Sequence, residues 1–196
     1  PKEMAELSMR SETVLERLLE SPPVRLNALP TDQGIYALYD HEGVARYIGV
    51  TEMGLRRRIH DYHVGGDGNS HKFSTIYNAG RMFHTRGDLF THAGDGRAAK
   101  ELRRMFSRRY CSAVGMPLQH CSKTELYALE TQVRRIAPKH ALSWNDARAL
   151  DAYEPTELLN EFLKEISWPS AKSEAIARQA GRWGQKVAAA TASGDV

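Results

Sequence analysis

Two tyrosines, each at one end of a glycine-bounded tripeptide, are the side chains of this sequence best spaced for chemistry: Gly34-Ile35-Tyr36 and Tyr47-Ile48-Gly49. The first opens the apolar run Gly34–Tyr39, and the second lies in the run Val44–Val50. Asp40-His41-Glu42-Gly43 separates them, polar and ending in glycine, a good hairpin connection. Such a hairpin sets two phenolic hydroxyls on adjacent strands. The stretch Leu55-Arg56-Arg57-Arg58-Ile59-His60-Asp61-Tyr62 then reads as a basic helix able to bring an arginine beside them. Hydroxyls and a guanidinium together are suited to handling a phosphate.

Those groups need elements to position them. Residues 3–20 read as an amphipathic helix, with Met4, Leu7, Val14, Leu15, Leu18 and Leu19 at helical spacing, stopped by Ser21-Pro22-Pro23. A helix over 54–62 has Leu55, Ile59 and Tyr62 on one face. Between 64 and 96 we expect a loop at Gly65–Ser70, a short helix over 71–78 capped by Ser70, and a strand at Met82-Phe83-His84. Residues 97–110 read as a strongly basic helix with Leu102, Met105, Phe106 and Tyr110 on its apolar side. A strand is expected over 112–120. Ser122-Lys123-Thr124-Glu125 has the pattern of a capping box, and the helix it starts runs through Leu126, Leu129, Val133 and Ile136 to Pro138. Two more amphipathic helices, 155–166 and 171–189, precede a tail after Lys186 that reads as frayed.

Composition bounds the class. The 196 residues suffice for one domain with a real core and added helices, and 41% hydrophobic with 26% charged residues is the profile of a soluble globular chain. No apolar run is long enough for a membrane span, and the charged start does not read as a secretory signal. Cys111 and Cys121 read as free thiols in a reducing, cytoplasmic compartment, over a mutual bridge or a zinc site with His120. The net charge of +3 is unevenly spread: residues 46–148 hold 18 Lys/Arg against 9 Asp/Glu, while both flanks are acidic. Arginine outnumbers lysine 19 to 8, which suits bidentate phosphate and guanine-edge contacts.

The two tripeptides, Leu55-x-x-Arg58-x-x-x-Tyr62, and Ser122-x-x-Glu125-x-x-x-x-Glu130 followed by Pro138 together resemble the GIY-YIG nuclease family. The resemblance covers about residues 33–64 and 112–145. The step from the second tripeptide to Arg58 is one residue longer than is common, and Asn145 lies farther past Pro138 than usual. The implied fold is α/β (α+β), a small, mainly antiparallel sheet flanked by helices. The implied organisation is a helical extension at 1–30, a nuclease domain at 31–150 with a basic insertion at about 64–110, and a C-terminal helical extension at 151–196. The implied catalytic set is Tyr36, Tyr47, Arg58, Tyr62, Glu130 and Asn145. Glu130 would be the ligand of one Mg²⁺ (or Mn²⁺) ion, and Tyr47 the leading general-base candidate.

The residue chemistry agrees with this set. Phosphodiester hydrolysis needs an activated water, stabilisation of charge on the phosphate and relief of charge on the leaving oxygen. An arginine can serve the second need, and a hydrated divalent ion on one carboxylate the third. A tyrosine near a cation can act as base. Singly, these residues have ordinary readings: tyrosines are good strand formers, and a lone helical glutamate or arginine is usually solvated. Expected DNA contacts are Arg56, Arg57, His63, His71, Lys72, Arg103, Arg104, Arg108 and Arg109, with His63 near the site and His60 facing solvent. The activity expected is a metal-dependent DNA endonuclease of restriction or defence type, with two copies meeting on DNA. A repair or recombination nuclease, an RNA substrate, and a binding module without turnover stay open.

Overall fold

The computed structural model describes residues 2–66 and 70–194, and the side chains of these except for residues 2–9 and Leu89. In chain order the elements are α1 (Lys2–Glu20), β1 (Val24–Arg25), β2 (Gly34–Tyr39), β3 (Ala45–Thr51), a π-helix (Arg57–His63), α2 (Lys72–Ile76), α3 (Asp88–Thr91), α4 (Ala93–Tyr110), β4 (Ser112–Pro117), α5 (Lys123–Ile136), α6 (Thr156–Glu165) and α7 (Ser170–Ser193). The protein is mixed α/β, with one four-stranded antiparallel sheet in the order β1-β4-β2-β3. Among the described residues, no helix is long and apolar enough to cross a membrane.

The chain forms two compact units, residues up to Tyr62 with Tyr110–Asp146, and His63–Arg109 with the residues from Ala147 onward. The N-terminal helix therefore belongs to the sheet unit, and the insertion packs with the C-terminal helices as a unit of its own. In the sheet unit, period-2 alternation turns Ile35, Ala37 and Tyr39 toward α1 and α5, where they join Val14, Leu18, Ile48, Val114, Leu129 and Val133 in the core. Burying the valine, leucine and isoleucine side chains among them contributes about 1.5–3 kcal/mol each. The Tyr39 hydroxyl donates to the Leu18 carbonyl at 2.8 Å and ties α1 to β2.

Local chemistry sets the hairpin. Buried Asp40 accepts the backbone N–H groups of Glu42 and Val44 at 2.9 Å through one oxygen and the Arg46 Nε–H at 2.6 Å through the other. Gly43 has φ +77°, the left-handed turn position that glycine takes without strain. Gly34 is demanded by its neighbours, since a Cβ there would lie 2.0 Å from the Met116 carbonyl oxygen on β4. The capping box at Ser122 and Glu125 is formed, each side chain bonding the other's backbone N–H, so α5 starts where the pattern predicts.

The second unit is built around Phe73, Tyr77, Phe83, Leu102, Phe106, Leu159 and Phe162. Tyr77 meets Phe106 edge-on at 5.2 Å, and Phe106 meets Phe162 at 6.3 Å. Three local expectations change here. His71, not Ser70, is the residue before α2, and it makes no side-chain cap bond. Met82-Phe83-His84 is not a strand: Gly80–Met82 is a 3₁₀ turn. The backbone N–H and carbonyl of His84 are taken by the Asn78 side-chain amide, at 2.8 and 3.1 Å, rather than by a neighbouring strand. And α7 stays helical past Lys186 to Ser193, ending at Gly194 with φ +76°. Cys111 is buried, Cys121 is half-buried, and both are free thiols. Cys121 accepts an N–H from Arg10 at 3.0 Å.

Candidate active site

The register of the β2–β3 hairpin decides which groups meet. Tyr36 lies opposite Gly49 on β3 and opposite Gly115 on β4, and Leu38 lies opposite Tyr47. Tyr36 and Tyr47 are therefore diagonal neighbours on one face, with glycine on both sides of Tyr36. Their ring centroids are 5.9 Å apart at 34°. A Cβ on Gly49 would stand 2.6 Å from Tyr47 Cε1, 2.8 Å from Tyr47 Oη and 3.0 Å from Tyr36 Oη. The glycine thus leaves the space in which the two hydroxyls come together. Across the sheet, Leu29 and Leu55 pack over Gly115, so the helical turn that begins at Leu55 sits on this face.

That turn delivers Arg58. The chain is helical from Leu55 to Gly65, and its centre, Arg57–His63, is wound as a π-helix, a rare geometry found frequently at functional sites. Arg58 hydrogen-bonds the Tyr36 hydroxyl, and Tyr36 hydrogen-bonds Tyr47. A guanidinium only donates, so the Tyr36 oxygen accepts from Arg58 and its proton is directed to the Tyr47 oxygen. Burial pushes the Tyr36 pKa well above the usual phenol value, with the neighbouring Tyr47 adding to the rise and Arg58 opposing it. Tyr47 is raised too, first by burial and then by the charge of Glu130, while Arg58, the Tyr36 hydrogen bond and Arg134 act downward. Tyr47 is partly buried and accepts a hydrogen bond; Tyr36 is fully buried. Of the two, Tyr47 is the one that can exchange a proton with a bound water.

Glu130 projects from α5 with its side chain 15% exposed, and burial raises its pKa. Arg134, one turn further on, stands 4.0 Å from it, beyond hydrogen-bond distance. The carboxylate oxygens therefore keep acceptor capacity. A half-buried oxygen ligand of this kind fits a hard, largely hydrated divalent cation, which needs few protein ligands. Among the described residues, no group of three or more His, Cys, Asp and Glu gathers as a metal cage. Arg134 is a residue that motif reading passes over, although its i, i+4 offset from Glu130 is visible in the sequence.

Two members of the expected catalytic set, Asn145 and Tyr62, and the expected DNA contact His63 have partners of their own in the fold. The Asn145 side-chain amide brackets one backbone residue: its oxygen accepts from the Ile48 N–H at 3.3 Å, and its N–H donates to the Ile48 carbonyl at 2.9 Å. Together with the Trp144 N–H on the Arg46 carbonyl at 2.8 Å, this covers the outer edge of β3, the edge strand that carries Tyr47. Asn145 thus holds the backbone of β3 next to Tyr47. Tyr62 accepts from Arg57 at 3.4 Å and lies under its guanidinium, 5.8 Å from the ring centroid. His63 is completely buried, and its Nδ1 accepts the Lys72 backbone N–H at 2.9 Å, so it holds α2 rather than a phosphate.

The expected DNA contacts divide in the same way. Arg56 and Arg57 are exposed on the first turns of their helix, Arg56 also donating to the Leu29 carbonyl at 2.9 Å. Lys72 is 5% exposed and Arg103 only 1%, so neither offers charge to a ligand. Arg103 instead donates to Asn78 Oδ1 and the Met82 carbonyl inside the second unit. Arg104 is half-buried and donates to the Gly65 carbonyl at 3.3 Å. His71 is half-buried against Gly66. Arg109 pairs with Glu165 at 3.4 Å on the surface, and Arg108 is exposed. His60 is partly exposed and contacts Asp61 at 2.8 Å.

Two substitutions test how the tyrosine pair is held. Gly49→Ala forces the Tyr47 ring aside and crowds the Tyr36 hydroxyl, and any hydrolysis that uses this hydroxyl pair is expected to fall about 10²-fold in the folded variant, the scale of an ångström-size misplacement. Cleavage rates measured alongside a thermal melt separate this from unfolding; wild-type activity would show that the hydroxyl contact is dispensable. Asn145→Ala removes both bonds to Ile48 and is expected to cost about 1–3 kcal/mol of stability. Amide exchange at Ile48 should accelerate in the same variant, and unchanged exchange would refute the bracket. No family model, no curated protein and no solved structure matches this chain.

Proposed function

We propose that this protein is a divalent-metal-dependent endonuclease of the GIY-YIG type that hydrolyses DNA phosphodiester bonds, with restriction or defence as its role. The observation that carries the reading is the convergence of Tyr36, Tyr47, Arg58 and Glu130, drawn from β2, β3, the π-helix and α5. These are the residues that the sequence resemblance implies, and they supply the group types that phosphodiester hydrolysis uses. The basic, arginine-rich middle of the chain suits a polyanionic substrate.

In this reading Tyr47 first releases its phenolic proton to solvent, and the phenolate oxygen then takes the proton of the attacking water. Tyr36, whose own proton is committed to Tyr47, holds that oxygen in place. Arg58 reaches the non-bridging oxygens of the phosphate and stabilises the charge that develops there. Glu130 holds the cation, with Arg134 as the charge beside it in its absence. A bound Mg²⁺ or Mn²⁺ supplies Lewis-acid stabilisation of the leaving oxygen. One such site cuts one strand, so double-strand cleavage takes two copies on the DNA.

The pH dependence follows from the two shifts. Glu130 must be ionised to bind the cation, and burial raises its pKa, so cleavage is lost as pH falls through a value above the ordinary carboxylate range. Tyr47 also has a raised pKa, so the rate climbs as pH rises across the neutral range. The test is incubation of supercoiled plasmid and phage DNA with purified protein, with Mg²⁺, with Mn²⁺ and with chelator. Discrete metal-dependent fragments support the proposal. No cleavage of either DNA under any of these conditions overturns it.

A further inference from the structure

Most of the basic helix α4 is occupied inside its own unit, which leaves the question of what in that unit would meet DNA. The answer lies just upstream. Phe90 is 90% exposed, whereas the next most exposed large apolar side chain among the described residues, Met53, is 46% exposed. Its exposure is not that of a loose loop. Phe90 sits on the single turn α3, and the turn is anchored from below by Asp88, itself 6% exposed. The Asp88 carboxylate accepts the Thr85 N–H at 2.7 Å and the amide of fully buried Gln179 at 3.1 Å. The His92 N–H returns to the Asp88 carbonyl at 2.8 Å, and the Thr91 hydroxyl donates to the Gly87 carbonyl at 3.2 Å. A Cβ on Gly96 would lie 2.8 Å from Asp88 Cβ, so α4 also packs closely against the stem.

Along this segment the exposed, uncommitted ionic groups are cationic. Arg86, His92 and Arg97 are exposed on the segment 86–97. Its two acids are already engaged, Asp88 with the donors above and Asp95 with Arg178 at 2.8 Å and Arg182 at 2.9 Å. Those two arginines hold the Asp95 carboxyl down at about 2, so it stays ionised across the neutral range. A protein-binding anchor is ordinarily ringed by apolar neighbours that exclude water. Among the described side chains of this segment, the exposed ones beside Phe90 are Arg86, Thr91, His92 and Arg97. A rigid apolar wedge flanked by arginines is the composition that enters between base steps while the cations grip the backbone.

We propose that the segment 86–97 is a second DNA contact, in which Phe90 inserts between base pairs and Arg86 and Arg97 bind the flanking phosphates. It rests on the DNA-cleaving reading above for its substrate, but it is tested without cleavage. Supercoiled plasmid is relaxed by a metal-independent topoisomerase in chelator, in the presence of the full-length protein. Insertion unwinds the duplex, so wild type should shift the relaxed topoisomers to lower linking number. Phe90→Ala should abolish that shift and weaken DNA binding on the order of tenfold, while Phe90→Trp retains both. Arg86→Ala with Arg97→Ala should reduce the salt slope of binding by about two.

Because Phe90 is almost wholly exposed, its loss should leave the melting temperature unchanged. An unchanged topoisomer distribution between wild type and Phe90→Ala overturns the proposal. So does a Phe90→Ala protein that binds DNA normally but no longer self-associates in sedimentation, which would make the tip an interface with a second copy. Plasmid cleavage in Mg²⁺, read separately, distinguishes the two readings. Phe90-dependent unwinding without cleavage sinks only the nuclease, and cleavage with no effect of Phe90 sinks only the wedge.

Discussion

Glu130→Gln is expected to lower metal-dependent DNA cleavage by about 10²–10³-fold, the equivalent of several kcal/mol of charge stabilisation at the transition state. The amide keeps the shape of the side chain and removes the charge that would hold a cation in the proposed reading. DNA binding in chelator should change little, because in the proposed reading arginines, not Glu130, make the phosphate contacts. Stability should move in the opposite sense to activity. A carboxyl whose pKa is raised on folding favours the folded state while protonated, and that advantage is lost as pH rises through the raised value. At neutral pH the ionised Glu130 therefore weighs against folding, and Glu130→Gln should melt at the same temperature as wild type or higher. A variant that cleaves at the wild-type rate would remove Glu130 from the site. One that melts well below wild type would mean that the carboxylate is a structural partner after all.

Arg58→Ala should cost about 10²–10³-fold in kcat, the loss typical of removing one preorganised donor from a developing charge. KM should change far less, since Arg56, Arg57 and the second unit would still bind phosphates. Two effects add in this variant. The phosphate loses its guanidinium, and Tyr36 loses the donor that directs its proton to Tyr47. Arg58→Lys restores a charge but not the forked geometry, so it should recover only part of the rate. The matching pH profile separates the two effects. With Arg58 gone, the downward pull on the Tyr47 pKa is weaker, so the alkaline rise in rate should move to higher pH. A uniform loss of affinity with kcat intact would instead make Arg58 a binding residue.

How much of this was legible in advance depends on how far apart in the chain the deciding atoms are. The hairpin was legible because its chemistry is local: alternating apolar runs, Asp40 bonding its own turn and Gly43 at positive φ. The start of α5 was legible because both partners of the capping box lie within four residues. The meeting of Tyr36 and Tyr47 follows from strand register, which the turn length and the apolar face dictate. These local rules set the mixed α/β class and most element boundaries.

Burial was not legible, because a partner distant in sequence decides it. The arginines of α4 look alike in sequence, yet Arg103 turns inward to Asn78 and Met82 while Arg108 faces solvent. His63 is spent on the backbone N–H of Lys72 within the second unit, and the Lys72 side chain is itself buried. The segment at His84 has the residue types of a strand, but Asn78 takes both of its backbone groups before any strand can. Asn145 reads as one more polar site residue until the fold returns it, 97 positions along the chain, to the backbone of Ile48. The sequence by itself determined the candidate reactive groups and the turns and caps that start their elements, since those depend on neighbours a few residues away. The tertiary structure alone decided which charges stay available to a ligand, since a buried polar group must find its partner wherever the packed chain supplies one.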